Sequence, residues 1–265
     1  MDLNLKGKVA FITGAGMGIA KAIALALAKE GTNISFLELN KELLDESNKE
    51  IQSKGVKTLA NLGSVTEVED IKRAVTHTIE TFGHIDVLLN CAGSSPVGNV
   101  MTVSHEDWAH AFDVKFLGYV RCIKEVLPHM IRQGGGRIIN LVGTGATEVF
   151  PLHVSGAANN AAVVILISYL AQEVGKYNIL VNGINPGPVG PTAKLAKMIV
   201  EIAENWRCST KEVEKRFIDQ TPLGRLCQPE DIANLAVFLA SDANKFITGE
   251  VITIDGGYTK AIMNG

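Results

Sequence analysis

The glycines in the run Thr13-Gly14-Ala15-Gly16-Met17-Gly18-Ile19 are spaced to let an anion approach the backbone. Where a strand turns sharply into a helix, unpaired N–H groups and the positive end of the helix dipole favour a phosphate, and positions without a Cβ let a pyrophosphate come close. Glu38 stands twenty residues after Gly18, at the end of the next apolar run. A carboxylate there can accept hydrogen bonds from both hydroxyls of an adenosine ribose and would repel a 2′-phosphate. Leu39 follows, with no Arg or Lys beside it to pair such a phosphate. These residues point to NAD rather than NADP. Glycine-rich turns also occur without ligands, in which case Glu38 is a solvated strand-end charge ahead of an Asn40 helix cap.

Such a site needs a strand, a tight turn and a helix, and the hydrophobic period supplies them repeatedly. Short β-branched runs predict strands at Val9 to Thr13, Asn33 to Leu37, Thr58 to Leu62, Val87 to Asn90, Gly136 to Val142, Leu180 to Ile184 and Val251 to Ile254. Helical spacing fits between them at Met17 to Lys29, Lys41 to Lys54, Val68 to Thr81, Ser104 to Arg132, Ala157 to Tyr177, Lys194 to Gln220 with a break, and Pro229 to Ala240. Alternating strand and helix implies parallel strands with right-handed crossovers, hence a doubly wound α/β sheet of about seven strands covered on both faces. Ligands of such sheets bind beyond the carboxyl ends of the strands, where the strand order reverses.

The 265 residues, 46% hydrophobic and 20% charged, suffice for one core, so a single domain is expected over 1–265. A net charge of -3, with 25 Lys and Arg scattered along the chain, argues against nucleic acid. Cys91, Cys122, Cys208 and Cys227 have no metal-ligand spacing and read as free thiols of a reducing compartment. The N-terminal run lacks the features of a signal peptide, and the apolar run Ala161 to Leu170 is too short to span a bilayer. A soluble, cytoplasmic protein without a membrane partner is the expectation.

With these residues the chain resembles the short-chain dehydrogenase/reductase family over essentially its full length. The likeness rests on Thr13 to Ile19, on Asn90-Cys91-Ala92-Gly93, on Asn185-Pro186-Gly187 and on Asp255-Gly256-Gly257. It implies a Rossmann-type fold and a small-molecule substrate. It also implies cofactor contacts from Gly14, Gly16, Met17, Gly18, Ile19, Glu38, Leu39, Ser64, Val65, Asn90, Ala92, Gly93, Pro186, Gly187, Val189 and Thr192. Ser64 stands where the family has an Asp near adenine, and Thr192 lies one position beyond the family's nicotinamide-contacting Thr.

The same resemblance leaves the catalytic positions changed. Ile138 to Gly143 aligns with the family's Ile-Val-Asn-Ile-Ser-Ser, and Asn160-Ala161-Ala162-Val163 with Lys-Ala-Ala-Val. The family's Tyr lies four residues before its Lys and thirteen after its Ser, and both spacings lead to Gly156. Gly143, Gly156 and Asn160 therefore replace Ser, Tyr and Lys. Hydride transfer at an alcohol carbon needs a base for the hydroxyl proton, and glycine offers none. The family's fourth residue, an Asn, is replaced by Lys115, so the usual Asn and Lys are exchanged between two positions. Lys115 is thus a candidate acid or base, or simply a structural lysine. His153, Thr144, Ser155 and Asn160 itself are further candidates, with Glu148 a weaker one; the alternative, and favoured, reading of His153 is a loop residue on the substrate rim.

Between residues 192 and 225 an amphipathic insertion resembles the family's substrate lid, where Met198, Ile199, Ile202 and Trp206 are either substrate wall or ordinary packing. The apolar stretch Ala161 to Leu170 exceeds what one face of a monomer's helix would bury, and the family commonly pairs through such helices, so a homotetramer is expected, with a dimer second. Three functions remain open: an NAD-linked oxidoreductase with a rebuilt acid–base group, a non-redox enzyme (lyase, isomerase or hydrolase) on the same fold, and a non-catalytic NAD-binding sensor or partner subunit.

Overall fold

A computed structural model describes residues 2–260. Seven parallel strands form one sheet in the order β3-β2-β1-β4-β5-β6-β7. They are β1 (Val9–Thr13), β2 (Asn33–Glu38), β3 (Thr58–Leu62), β4 (Val87–Asn90), β5 (Gly136–Leu141), β6 (Ile179–Pro186) and β7 (Val251–Ile254). The doubly wound Rossmann-type fold expected from the alternating pattern is the one observed. Its order reverses between β1 and β4, so the carboxyl ends of those two strands, at Thr13 and Asn90, flank the crevice.

Alternate strand residues supply the two faces. Ala10, Ile12, Ile34, Phe36, Val87 and Leu89 pack with α1 (Gly18–Lys29), α2 (Lys41–Gln52) and α9 (Pro229–Ala240). Phe11, Leu37, Leu88 and Ile138 pack on the other side with α3 (Val68–Phe82), α5 (Gly118–Gln133) and α6 (Val154–Val174). The two-residue period of a strand produces this split, and a sheet buried on both faces follows from it. A third cluster joins α7 (Ala193–Trp206) to α8 (Thr210–Gln220) through Leu195, Ile199, Ile202, Val213 and Phe217. Ile199 and Ile202 are therefore packing residues of this segment, while Trp206 lies against Arg216 at 4.8 Å.

Most helix bounds fall within two residues of the sequence expectation, and two helices differ by more. The stretch expected to be one helix from Ser104 to Arg132 is α4 (His105–Phe112), a π-helical turn (Asp113–Leu117) and then α5. A π turn adds one residue to a helical turn without ending it, so it shifts the apolar phase by one position with no breaker residue within it to mark a boundary. Expected to begin at Ala157, α6 instead starts at Val154. By length and composition, residues Val154–Tyr177 could cross a bilayer. Yet Val163, Ile167, Leu170 and Val174 are buried against the sheet, as in a core helix.

Candidate active site at the carboxyl end of the sheet

The turn after β1 brings the chain into α1 without a side-chain cap on that helix. Gly14 and Gly18 have φ values of +73° and +59°, which a side chain would strain, and a Cβ on Gly14 would stand 3.2 Å from the Ala92 backbone. Met17 caps α1 with extended backbone and no side-chain bond, so the first N–H groups of this helix keep their capacity for an anion. By contrast, α2, α4, α7 and α8 are each capped by a side chain, from Asn40, Ser104, Thr192 and Ser209. Thr13 Oγ1 accepts from the N–H groups of Cys91 and Ala92, both at 3.1 Å, and ties β1 to β4 across the crevice.

Glu38 sits beside that turn. Its Oε2 accepts from the Gly16 N–H at 3.0 Å and its Oε1 from the Asn40 N–H at 3.0 Å. Asn40 itself accepts from the Leu43 N–H, so a helix cap and a carboxylate at the glycine turn coexist. Leu39 is exposed and Ile19 packs on the first core cluster. Ser64 shares a hydroxyl–hydroxyl bond with Thr66 at 2.7 Å, which holds it in the turn before α3, and Val65 is buried against Gly118. Past β6, Gly187 has no room for a side chain, because a Cβ would lie 2.8 Å from that of Asp255. Val189 is buried, and Thr192 Oγ1 accepts from Leu195 N–H while donating to the Val189 carbonyl at 2.9 Å.

The π turn aims Lys115 inward. This residue is 8% exposed, and Nζ donates to the Val142 carbonyl at 2.8 Å and to Asn160 Oδ1 at 2.5 Å. Asn160 Nδ2 in turn donates to the Gly143 carbonyl at 3.2 Å. The Gly143 N–H donates to Asn185 Oδ1 at 3.1 Å. One chain of hydrogen bonds therefore links the π turn, α6, the end of β5 and β6. Gly143, at φ +138°, occupies backbone space open to few other residues, and a Cβ there would lie 2.8 Å from Asn160 Nδ2. Gly93 stands beside the Lys115 stem.

Burial pushes the Lys115 ammonium down to about 7, and the charge of Lys194 pushes in the same direction. His153 is lowered to about 4, by burial first and then by Lys194 and Lys115, so its imidazole is neutral at pH 7. Its ring covers Gly156: a Cβ at that position would overlap the imidazole, with Nδ1 at 2.9 Å. Among the described residues, Ser155 is drawn away from this group, donating to the Pro96 carbonyl at 3.2 Å. Thr144 is buried at the start of the loop, and Glu148 accepts from the Lys260 N–H at 2.9 Å.

Sequence reasoning missed Lys194 and Asn185. Lys194 follows Thr192 by two residues in the first turn of α7, and protein around its side chain lowers its pKa. The residue as a whole is exposed, so solvent screening tempers that shift. A lysine just beyond the Asn185-Pro186-Gly187 segment was the available signal.

A sequence profile described as "Enoyl-(Acyl carrier protein) reductase" matches residues 14–259. The chain belongs to the short-chain dehydrogenase/reductase family. A 3-oxoacyl-(acyl-carrier-protein) reductase of Thermotoga maritima is 34% identical over 257 residues, covering 96% of this chain and 99% of that protein. NAD+-bound xylitol dehydrogenase superposes with a TM-score of 0.92 at 30% identity, over 96% of this chain and all of that one. The L-sorbose reductase of Gluconobacter frateurii, complexed with NADPH and L-sorbose, gives 0.91 at 31% identity, over 99% of this chain and 100% of that one.

Proposed function

We propose that the protein is an oxidoreductase that binds NAD(H) in preference to NADP(H) and manages the substrate proton through Lys115. The observation that carries this reading is the buried Lys115 ammonium, held by Val142 and Asn160 and brought to about 7 by burial. A neutral amine has two hydrogens and one lone pair. With both hydrogens given to the Val142 carbonyl and Asn160 Oδ1, the lone pair is left for a substrate hydroxyl proton.

The residues fit a dinucleotide. The uncapped start of α1 and the glycine turn suit its pyrophosphate, and Glu38 suits an adenosine ribose with free hydroxyls. The relatives described above include one solved with NAD+ and one with NADPH. A bound nicotinamide would supply the hydride acceptor or donor. Lys115 would take the hydroxyl proton during alcohol oxidation and return it during carbonyl reduction. Asn160 would orient the amine, and neutral His153 could offer the substrate oxygen a hydrogen bond. In this reading Gly143, Gly156 and Asn160 stand for the family's Ser, Tyr and Lys, and ordinary secondary alcohols and ketones lack a phenol to exchange their proton.

Absorbance at 340 nm is the direct test: the correct substrate with NAD+ should form NADH. A second reading, an NAD-binding sensor or partner subunit, is favoured by the two glycines at acid–base positions. Tight NAD binding without turnover of any substrate would select it. A non-redox activity would show as product without net NADH.

We further propose a homotetramer paired in part through α6. Its outer face leaves Ile165 59% and Tyr169 70% exposed, one helical turn apart. A solvent-facing stripe of this kind is accounted for by burial against a second copy of the chain.

A further inference from the structure

The cleft holds an excess of positive charge. Phe150 and Leu152 pack on the cluster that contains Leu195 and Ile199, which brings the loop bearing His153 against the start of the helix bearing Lys194. The His153 ring covers Gly156, and one helical turn further along α6 Asn160 holds Lys115. The Lys194 charge acts on both Lys115 and His153, so the two lysines lie in one electrostatic neighbourhood around the His153 ring. Among the described residues neither forms an ion pair. The one acidic side chain of the His153 loop, Glu148, accepts from the Lys260 backbone. The start of α7 adds the positive end of a 14-residue helix dipole on the same side.

We infer that the substrate of this site carries an anionic group, held between Lys194 and Lys115 in the volume bordered by His153. This rests on reading the cleft as the substrate site. Two cations sharing a partly desolvated space repel each other, and an anion placed between them converts that repulsion into two attractions. Each lysine's lowered pKa would rise again once such a group is bound. The reacting carbon would lie nearer Lys115, whose position is fixed, while Lys194 at the mouth would select the charge.

The test is calorimetric titration of the NAD-saturated protein with benzoate, with inorganic phosphate and with benzamide, the uncharged counterpart of benzoate. At least one anion should bind about tenfold or more tightly than benzamide, and the stronger of the two distinguishes a carboxylate from a phosphate ester as the substrate's charged group. Lys194→Met should weaken that anion about tenfold and leave NAD affinity within a few-fold, and Lys194→Arg should restore it. Binding of neither anion, or of benzamide as tightly, would overturn the inference. So would a Lys194→Met variant that loses NAD affinity while keeping the anion, since the lysine would then serve the cofactor pyrophosphate. Redox failure is read separately: absence of NADH with every hydroxy acid, while the anion still binds, would count against the oxidoreductase reading alone.

Discussion

The His153 imidazole occupies the space into which a side chain at Gly156 would grow. These residues are three apart at the start of α6, and the ring folds back over the helix so that Gly156 and Gly145 both lie against it. The absence of a side chain at position 156 is therefore filled by protein rather than left as a hole, consistent with the close packing of protein interiors. The ring carries no charge at neutral pH, because burial and two nearby lysines oppose its protonation.

Gly156→Ala should destabilise the fold by about 1–3 kcal/mol, the usual cost of forcing atoms into filled space. In a His153→Ala background the same substitution should cost much less, because the obstructing ring is gone. Urea midpoints of the four proteins in this cycle check it. Additive losses would show that the ring yields freely.

Turnover should depend on Lys115. Lys115→Met keeps most of the stem and removes the amine, so kcat should fall at least ~10²-fold while NAD affinity stays nearly unchanged. In the wild type, alcohol oxidation requires the neutral amine, so its kcat/KM, which reports the free protein, should rise with pH through about 7. Carbonyl reduction uses the ammonium and should fall over the same interval. A pH–rate profile flat from 6 to 8 in both directions would remove Lys115 from the proton transfer.

The same lysine should leave a mark on stability. Its folded pKa of about 7 lies below the ordinary lysine value of 10.5, so the unfolded chain binds the extra proton between those values. Stability from this group is therefore lowest at and below about pH 7 and rises as pH climbs towards 10.5. Denaturant unfolding at neutral and alkaline pH should show that rise in the wild type, relative to Lys115→Met, by up to a few kcal/mol.

Cofactor choice should follow Glu38. Titration should show NAD(H) binding more tightly than NADP(H). Glu38→Gln should weaken NAD(H) about tenfold through loss of charge-assisted bonds to the ribose. Equal affinity for both dinucleotides in the wild type would refute this.

Assembly should respond to α6. Tyr169→Glu puts a charge on the exposed apolar stripe and should lower the mass measured by light scattering. A wild type that is already monomeric at micromolar concentration would refute the tetramer.

The sheet could be read from sequence because each strand was a short β-branched run bounded by turn residues, and Pro229 to Ala240 was bounded correctly by its Pro and its capping residues. The glycine turn and Glu38 were legible for the same reason: backbone geometry demands particular residue types there. The interior of the cleft was not. The single-residue insertion of the π turn shifts the apolar phase by only one position, with no Gly or Pro within it to mark it, although it helps set where Lys115 lies. His153 and Ser155 are two positions apart, and only the start of α6 at Val154 determines that the hydroxyl reaches Pro96 while the ring covers Gly156. Lys194 lay in a helix read only for its apolar spacing.

The cluster shared by α7, α8, Phe150, Leu152 and Tyr258 has a consequence for motion. Phe150 and Tyr258 stack at 5.4 Å, and Phe217 of α8 lies 6.4 Å from the same Tyr258 ring. Phe150 and Leu152 share this cluster with α7 and α8, so any displacement of the two helices must carry them along or cost their packing. Amide hydrogen exchange should then report one opening equilibrium for residues 193–220 and the segment leading into His153. The ring over Gly156 and the entrance guarded by Lys194 would open and close as one gate.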